Sequence, residues 1–399
     1  MRFVPESLQF DPACDADFFA AMPARAAVYV LYGDPGAQPY ASKTANLRRR
    51  MMRLLEATQS PGRRLNLRER VRRIEYTVTG SEFESRFLLY QWLRREVPQK
   101  CAERLRLRFP SLVKLHLGNS YPRVSITKRL GRGPSLYYGP FRSRAVAEKF
   151  ANDSLDLFLL RRCIEDLLPD PAFPGCIYSE MKMCLAPCFR GCTDADYAAE
   201  ASRVRTYFDS AGQSLVREIG LQRDQASTAL DFEQAGAHHA RLEKLKPLLA
   251  SLPEIVRRVD QLRAVIVQPS AASQAVTMFL LQGGALSLPL PFAIQPAEHA
   301  KSSSMESRVE ELLATFDVRP RGSLETMEHL ALVSRWYYRK TRVGEIFFAD
   351  DKGELPMRRI VRGIGRVVRG ESAEAVRPDV SPTATVTEEE MGRSYERPQ

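Results

Sequence analysis

Five of the chain's seven cysteines fall between Cys163 and Cys192, with the spacing C-x12-C-x7-C-x3-C and Cys192 four residues further on. Four thiolates in one short stretch can close a tetrahedral zinc site or carry an iron–sulfur cluster. In a chain read as lacking a secretory signal, either accounts for them better than a disulfide framework does. Buried, unligated cysteine explains one or two such residues, but not four with a tight C-x3-C and with Pro174 and Pro187 shaping the turns. Zinc modules more often use C-x2-C pairs, whereas wide and uneven spacing suits a cluster whose ligands come from separate loops.

A chain of 399 residues is too long for one typical core, so two to four domains are expected. The formal charge of +11 is carried mostly by arginine, which favours a phosphate-bearing partner, with nucleic acid the first candidate. The apolar stretch near Phe279 to Ile294 is cut by glycine and proline, and the N-terminus lacks a basic-then-apolar leader pattern. Neither a membrane span nor secretion is expected, and a cytoplasmic location follows.

The run AAVYVLY (26–32), the turn GDPG (33–36) and PYASK ending at Lys43 predict a hairpin. A helix follows from Asn46, with Leu47, Met51, Leu54 and Leu55 on one side and Arg48, Arg49 and Arg53 on the other. Arg50 lies at the edge of the apolar stripe, so Tyr29, Tyr40, Lys43 and Arg50 could meet over one small sheet as a phosphate site. Between Lys43 and Arg73 eleven basic residues face two acidic ones, and Arg63 and Arg64 extend the patch formed by Arg48, Arg49 and Arg53. Such a patch fits a phosphate backbone and does not read base sequence.

A strand at Ile74 to Thr79 and a buried helix at Glu84 to Arg95, ended by Pro98, complete a small α+β unit. Strands at 120–128 and 136–141 precede a helix from about Ser143 to Leu160. Tyr137, Tyr138 and Phe141 could stack on unpaired bases or pack in a core. From Asp194 to Leu249 the pattern is helical throughout and predicts a helical hairpin. Strands at 263–268, 275–281 and 285–290, helices near 305–316 and 324–339, and a strand at 345–349 predict a last α/β unit. From Glu371 the composition is that of a disordered tail.

The phrases SYPRVSITKR (120–129), YYGPF (137–141), LRRC (160–163) and CLAPC (184–188) resemble, in order, the middle of the UvrC family, the nuclease subunit of bacterial nucleotide excision repair. AVY, YASK and NLRRR resemble the GIY-YIG nuclease signature that opens those proteins, as in a short Cho-like form. Ala27 and Ser42 stand where that signature has glycines. ALDFEQAGAHHARLEKL (229–245) resembles the UVR motif by which UvrC and UvrB proteins recognise each other, with His239 and Ala240 in place of its arginine-aspartate pair.

The resemblance implies a four-iron four-sulfur cluster on Cys163, Cys176, Cys184 and Cys188, with Cys192 spare and zinc the alternative. It implies roles for Tyr29 and Tyr40 in activating water, for Lys43 and Arg50 in steadying charge on the phosphate, and for Phe232 and Glu233 in docking a UvrB-type helicase subunit. The family's magnesium-holding glutamate aligns with Leu89 and its nearby asparagine with Cys101, so the implied nuclease lacks its metal ligand.

The fold class expected is multidomain α+β. Residues 1–105 form a GIY-YIG-like α/β domain, 106–192 a cysteine-cluster domain, 193–252 a UVR-like helical hairpin, 253–370 a small α/β remnant, and 371–399 a tail. The function expected is DNA repair on damaged or distorted duplex DNA. A non-catalytic DNA-binding adaptor and an RNA-binding protein are the alternatives.

Overall fold

The structure, a computed structural model, describes residues 6–12, 16–56, 66–295, 304–318 and 322–371. Arg63, Arg64 and the tail beyond Glu371 lie outside the described residues. The described part is mixed α and β, with antiparallel sheets throughout.

The first sheet holds β1 (Glu6–Gln9), β2 (Ala27–Tyr32), β3 (Tyr40–Thr44) and β4 (Arg73–Val78), in the order β1-β4-β2-β3. The expected hairpin pairs Tyr29 with Ser42 and Val28 with Lys43. Strand side chains alternate between faces, so Ala27, Tyr29 and Leu31 face α1 (Ala16–Ala21) and α2 (Leu47–Leu55), where they pack with Phe19, Met22, Leu47 and Met51. The side chain of Asn46 caps α2 by accepting from the Arg49 amide at 2.9 Å.

Val28 and Val30 face α3 (Glu82–Glu96) on the other side of the sheet. This helix starts two residues before the sequence reading placed it, because Ser81 caps it by accepting from the Glu84 amide at 3.1 Å. It shows no single apolar stripe because it is enclosed: the sheet covers one side, and Phe279 and Trp336 meet Phe83 on the other, at ring separations of 5.0 and 5.2 Å.

After α4 (Cys101–Arg104), the second sheet runs through β5 (Ser111–His116), β6 (Arg123–Thr127) and β7 (Ser135–Phe141), with α5 (Arg144–Leu155) packed on it. The short β8 (Arg257–Arg258) completes the order β6-β5-β7-β8. Tyr138 and Phe141 lie in the core and serve packing rather than base stacking, while Tyr137 is half-buried and its hydroxyl accepts from the Gly131 amide at 2.8 Å. In the cysteine stretch the only α-helix is α6 (Ile177–Glu180). Three helices follow where a hairpin was expected: α7 (Asp194–Asp209), α8 (Gln213–Thr228) and α9 (Phe232–Ala250). The hairpin is α8 with α9. By contrast, α7 sends Tyr197, Val204, Tyr207 and Phe208 into the core beneath the second sheet.

The third sheet contains β9 (Arg263–Pro269), β10 (Ala275–Gln282), β11 (Ala285–Leu286), β12 (Leu290–Ala293) and β13 (Glu345–Phe348). The order is β11-β10-β9-β13, with β12 also paired to β10. Its central strands are apolar on both faces because both are covered. One face meets α11 (Ser323–Tyr337) and α3, and the other meets α10 (Met305–Ala314) and α12 (Met357–Arg369). The sequence reading missed α12, where Ile360, Gly363, Ile364 and Val367 are buried while Arg358, Arg359 and Arg362 point to solvent.

The first and third sheets are joined tightly. A Cβ on Gly80 would overlap the backbone of Pro269 and Ser270, so only glycine fits there. Tyr90 donates to Glu328 at 3.0 Å, and Arg94 lies 3.6 Å from the same carboxylate.

Candidate functional site

The N-terminal candidates do not form one group. Tyr29 is buried, and its hydroxyl accepts from Arg50 Nε at 3.0 Å, with the Tyr40 ring 6.3 Å away. Burial pushes the Tyr29 phenol above its ordinary value, and Arg50 only partly offsets this, so the group is a poor proton acceptor at neutral pH. Hydrogen bonding to Tyr29, set against burial, pushes the Arg50 guanidinium up. Lys43 is excluded from this cluster by the strand period. Paired with Val28, it faces α3 on the opposite side of the sheet and meets Glu82 at 3.2 Å.

Glu82 was not singled out in the sequence. It occupies the first turn of α3 and gathers Lys43, Arg86 (3.0 Å) and Arg339. Burial pushes its carboxyl up, but the three cations outweigh it and hold the group at about 2. The capping phrase TGSE was the available signal, since it places an acidic residue at a helix start beside the hairpin.

Among the described residues the α3 carboxylates nearest Leu89 are engaged elsewhere, Glu96 by Arg95 at 2.8 Å. Leu89 is 7% exposed, in the core between the sheets. Glu84 accepts from the Gly80 amide at 2.8 Å and from Thr277 at 3.4 Å, and burial pushes its carboxyl up. Cys101 is buried, with its thiol pushed up to about 12 by burial and by Glu328. The residues present therefore do not fit a magnesium ion.

The predicted DNA-contacting arginines divide as well. Arg48 donates to the carbonyls of Met22 (2.8 Å) and Ala20 (2.9 Å), closing the end of α1. Arg49 and Arg53 are exposed, and among the described residues neither has an ion-pair partner.

The cysteine stretch is held by a buried arginine. Arg161, 2% exposed, donates from Nε to the Tyr121 carbonyl at 2.9 Å. Its guanidinium also reaches the Glu165 carbonyl at 2.9 Å and Cys163 Sγ at 3.4 Å, and no carboxylate pairs with it. Nearby, the Ala186 amide donates to Cys184 Sγ at 3.3 Å, and at the start of α6 the Cys176 amide donates to Ser179 Oγ at 2.9 Å. Burial pushes the Cys184 thiol up against the Ala186 amide, and the nearby Cys176, Cys188 and Cys163 add to the rise.

Among the described residues no three His, Cys, Asp or Glu side chains form a group that could hold a metal ion. A single zinc needs four sulfurs each about 2.3 Å from one point. A cluster reaches each thiolate through a separate iron and lets the sulfurs lie further apart. In charge the donor set fits such a cluster: four thiols, amide and guanidinium donors directed at sulfur, and a buried cation without a carboxylate. The word RRC was the signal for Arg161.

Phe232 begins α9 and is 69% exposed, next to Leu230 at 73% and the exposed Glu233. The turn between α8 and α9 thus leaves two apolar side chains bare.

Residues 111–207 match the model of the UvrC/Cho excinuclease middle domain. The chain is similar to UvrABC system protein C of Stenotrophomonas maltophilia, 28% identical over 67% of this chain and 43% of that protein. It is similar to that of Acidobacterium capsulatum, 30% identical over 57% of this chain and 35% of that protein. The Sphingopyxis alaskensis protein is 28% identical over 56% of this chain and 35% of its own length. The chain thus spans well under half the length of these curated relatives. No solved structure matches. Among the described residues no helix is long and apolar enough to cross a membrane.

Proposed function

For a relative of the UvrC/Cho excinucleases that carries their middle domain at 111–207, we propose a role in nucleotide excision repair: binding distorted duplex DNA and a UvrB-type partner without efficient cutting. The observation that carries this reading is the middle-domain match, which coincides with the cysteine stretch.

Binding is supported by the net charge of +11 and by the exposed, unpaired Arg49 and Arg53. Phosphate contacts of this kind fix position on a duplex without reading bases. Docking of the partner is supported by the bare Phe232 and Leu230 beside Glu233. The cysteines support an iron–sulfur cluster on Cys163, Cys176, Cys184 and Cys188. When bound, it would cross-link loops that have little structure of their own, and Arg161 would offset its negative charge.

The argument against cutting is chemical. Phosphodiester hydrolysis at neutral pH needs a base and a stabilised oxyanion. Arg50 can hold a phosphate oxygen, but the phenol it touches resists ionisation, and the α3 position where the resemblance expects a metal-holding glutamate carries the buried Leu89. The structural group survives while the proton acceptor and the metal's carboxylate are missing, which is the pattern of an adaptor.

The test is binding of a bubble duplex and of a structured RNA, each titrated with salt. Tighter binding to the bubble, with a steep salt dependence, is expected. Preference for the RNA would replace this reading with the RNA-binding one.

A further inference from the structure

Four parts of the chain line a cavity of about 570 Å³ that adjoins the Glu82 cluster through Arg339. Arg108 enters from the segment before β5, Lys128 from the end of β6, Arg142 and Arg144 from the β7–α5 turn, and Arg335 and Arg339 from α11. No acidic side chain lines it. Of the six cations only two have carboxylate partners, Arg144 with Glu148 at 2.7 Å and Arg339 with Glu82.

Surface arginines usually spread apart or pair with acids, because like charges at short range repel. Here they converge. Burial, and then repulsion from Arg86, Arg339 and Arg108, push the Arg335 guanidinium below its ordinary value. The turn that carries Arg142 and Arg144 also caps the 12-residue helix α5 through Ser143, so the positive end of that helix lies at the wall. The Ser143 hydroxyl lines the same space and offers a further donor, whereas that of Tyr338 already donates to the Pro140 carbonyl at 2.8 Å.

We infer that this cavity is a phosphate-binding basin that holds the backbone of a DNA strand. It extends toward the first sheet on its α3 side, opposite the Tyr29–Arg50 cluster: Arg339 at its rim pairs with Glu82, which pairs with Lys43. A strand in the basin would therefore lead along the α3 side of the first sheet, and its phosphates would supply the anions that four of the six cations lack. The assignment to DNA rests on the proposed repair role. The assignment to phosphate rests on the cavity alone.

The experiment compares the full chain with the Arg108→Gln/Arg142→Gln double variant, whose two side chains are exposed and make no hydrogen bond or ion pair among the described residues. The first readout is the melting temperature with and without inorganic pyrophosphate. The second is the slope of log affinity against log salt for a bubble duplex. Pyrophosphate is expected to raise the melting temperature of the unaltered protein and to do little for the variant. The salt slope is expected to fall by about two, roughly one for each phosphate contact removed. Pyrophosphate stabilisation without any DNA binding would keep the anion site and defeat the DNA reading. DNA binding with an unchanged slope in the variant, and no pyrophosphate effect on either protein, would overturn the basin.

Discussion

The N-terminal sheet and the cysteine stretch place their polar groups by opposite means. In the sheet, Tyr29 and Arg50 stand on a strand and a helix whose apolar faces are buried, so they meet at 3.0 Å with nothing bound between them. In the cysteine stretch, the thiols hang from loops in which α6 is four residues long, and the main internal tie is the buried Arg161. The first arrangement is preorganised by packing. The second is tied chiefly by one guanidinium. Damage to the cysteine stretch should therefore cost the fold, while damage to the sheet site should cost contacts and leave the fold standing.

The largest effect is expected from Cys184→Ala. Protein prepared without oxygen should be brown and contain iron, and the variant should lose colour, iron and solubility together, as measured by absorbance and metal analysis. Stoichiometric zinc without iron would break the comparison at its root.

Arg161→Met comes next. It strips hydrogen bonds from the carbonyls of Tyr121 and Glu165 inside the protein, and should cost about 3 kcal/mol of stability in urea denaturation. A loss under a few tenths of that would mean the loops hold themselves.

Phe232→Ala should leave the urea midpoint unmoved, since the ring is exposed, but should weaken capture by a UvrB-type partner by about 2 kcal/mol. Unchanged capture would remove the docking tip from the proposal. Tyr29→Phe loses one hydrogen bond to Arg50 and should cost about 1 kcal/mol while folding normally.

The smallest effect concerns pH. Burial, reinforced by Lys114, Arg123 and Arg161, lowers the pKa of His116 from 6.5 to about 4. The folded state thus favours neutral His116. Its contribution is complete above pH 6.5 and is lost as pH falls toward 4. His116→Gln should flatten that part of the stability profile. An equal slope in both proteins would assign the acid loss elsewhere.

What was legible in the sequence follows the same division. The hairpin and α2 were readable because alternating and helical periods coincide with single buried faces, as at Leu47, Met51, Leu54 and Leu55. The separation of Lys43 from Tyr29 was latent in the strand period, but helical spacing to Arg50 suggested the opposite. Glu82 and Arg339 lie 257 residues apart, and no local pattern joins them. The basin around Arg335 escaped notice for the same reason, because its cations come from segments that are unremarkable singly. Helix α12 was missed because two glycines and five arginines dilute its apolar stripe, which only the third sheet reveals. The cysteines were conspicuous at once, yet Arg161 beside them passed as one more basic residue until its burial was seen.

The most direct measurement is incision of a damaged duplex in magnesium, run beside binding of the same duplex by the unaltered protein. Binding without cutting is the expected result. Robust cutting by the unaltered protein, abolished by Arg50→Ala or Tyr29→Phe, would contradict it and require another carboxylate to serve the metal.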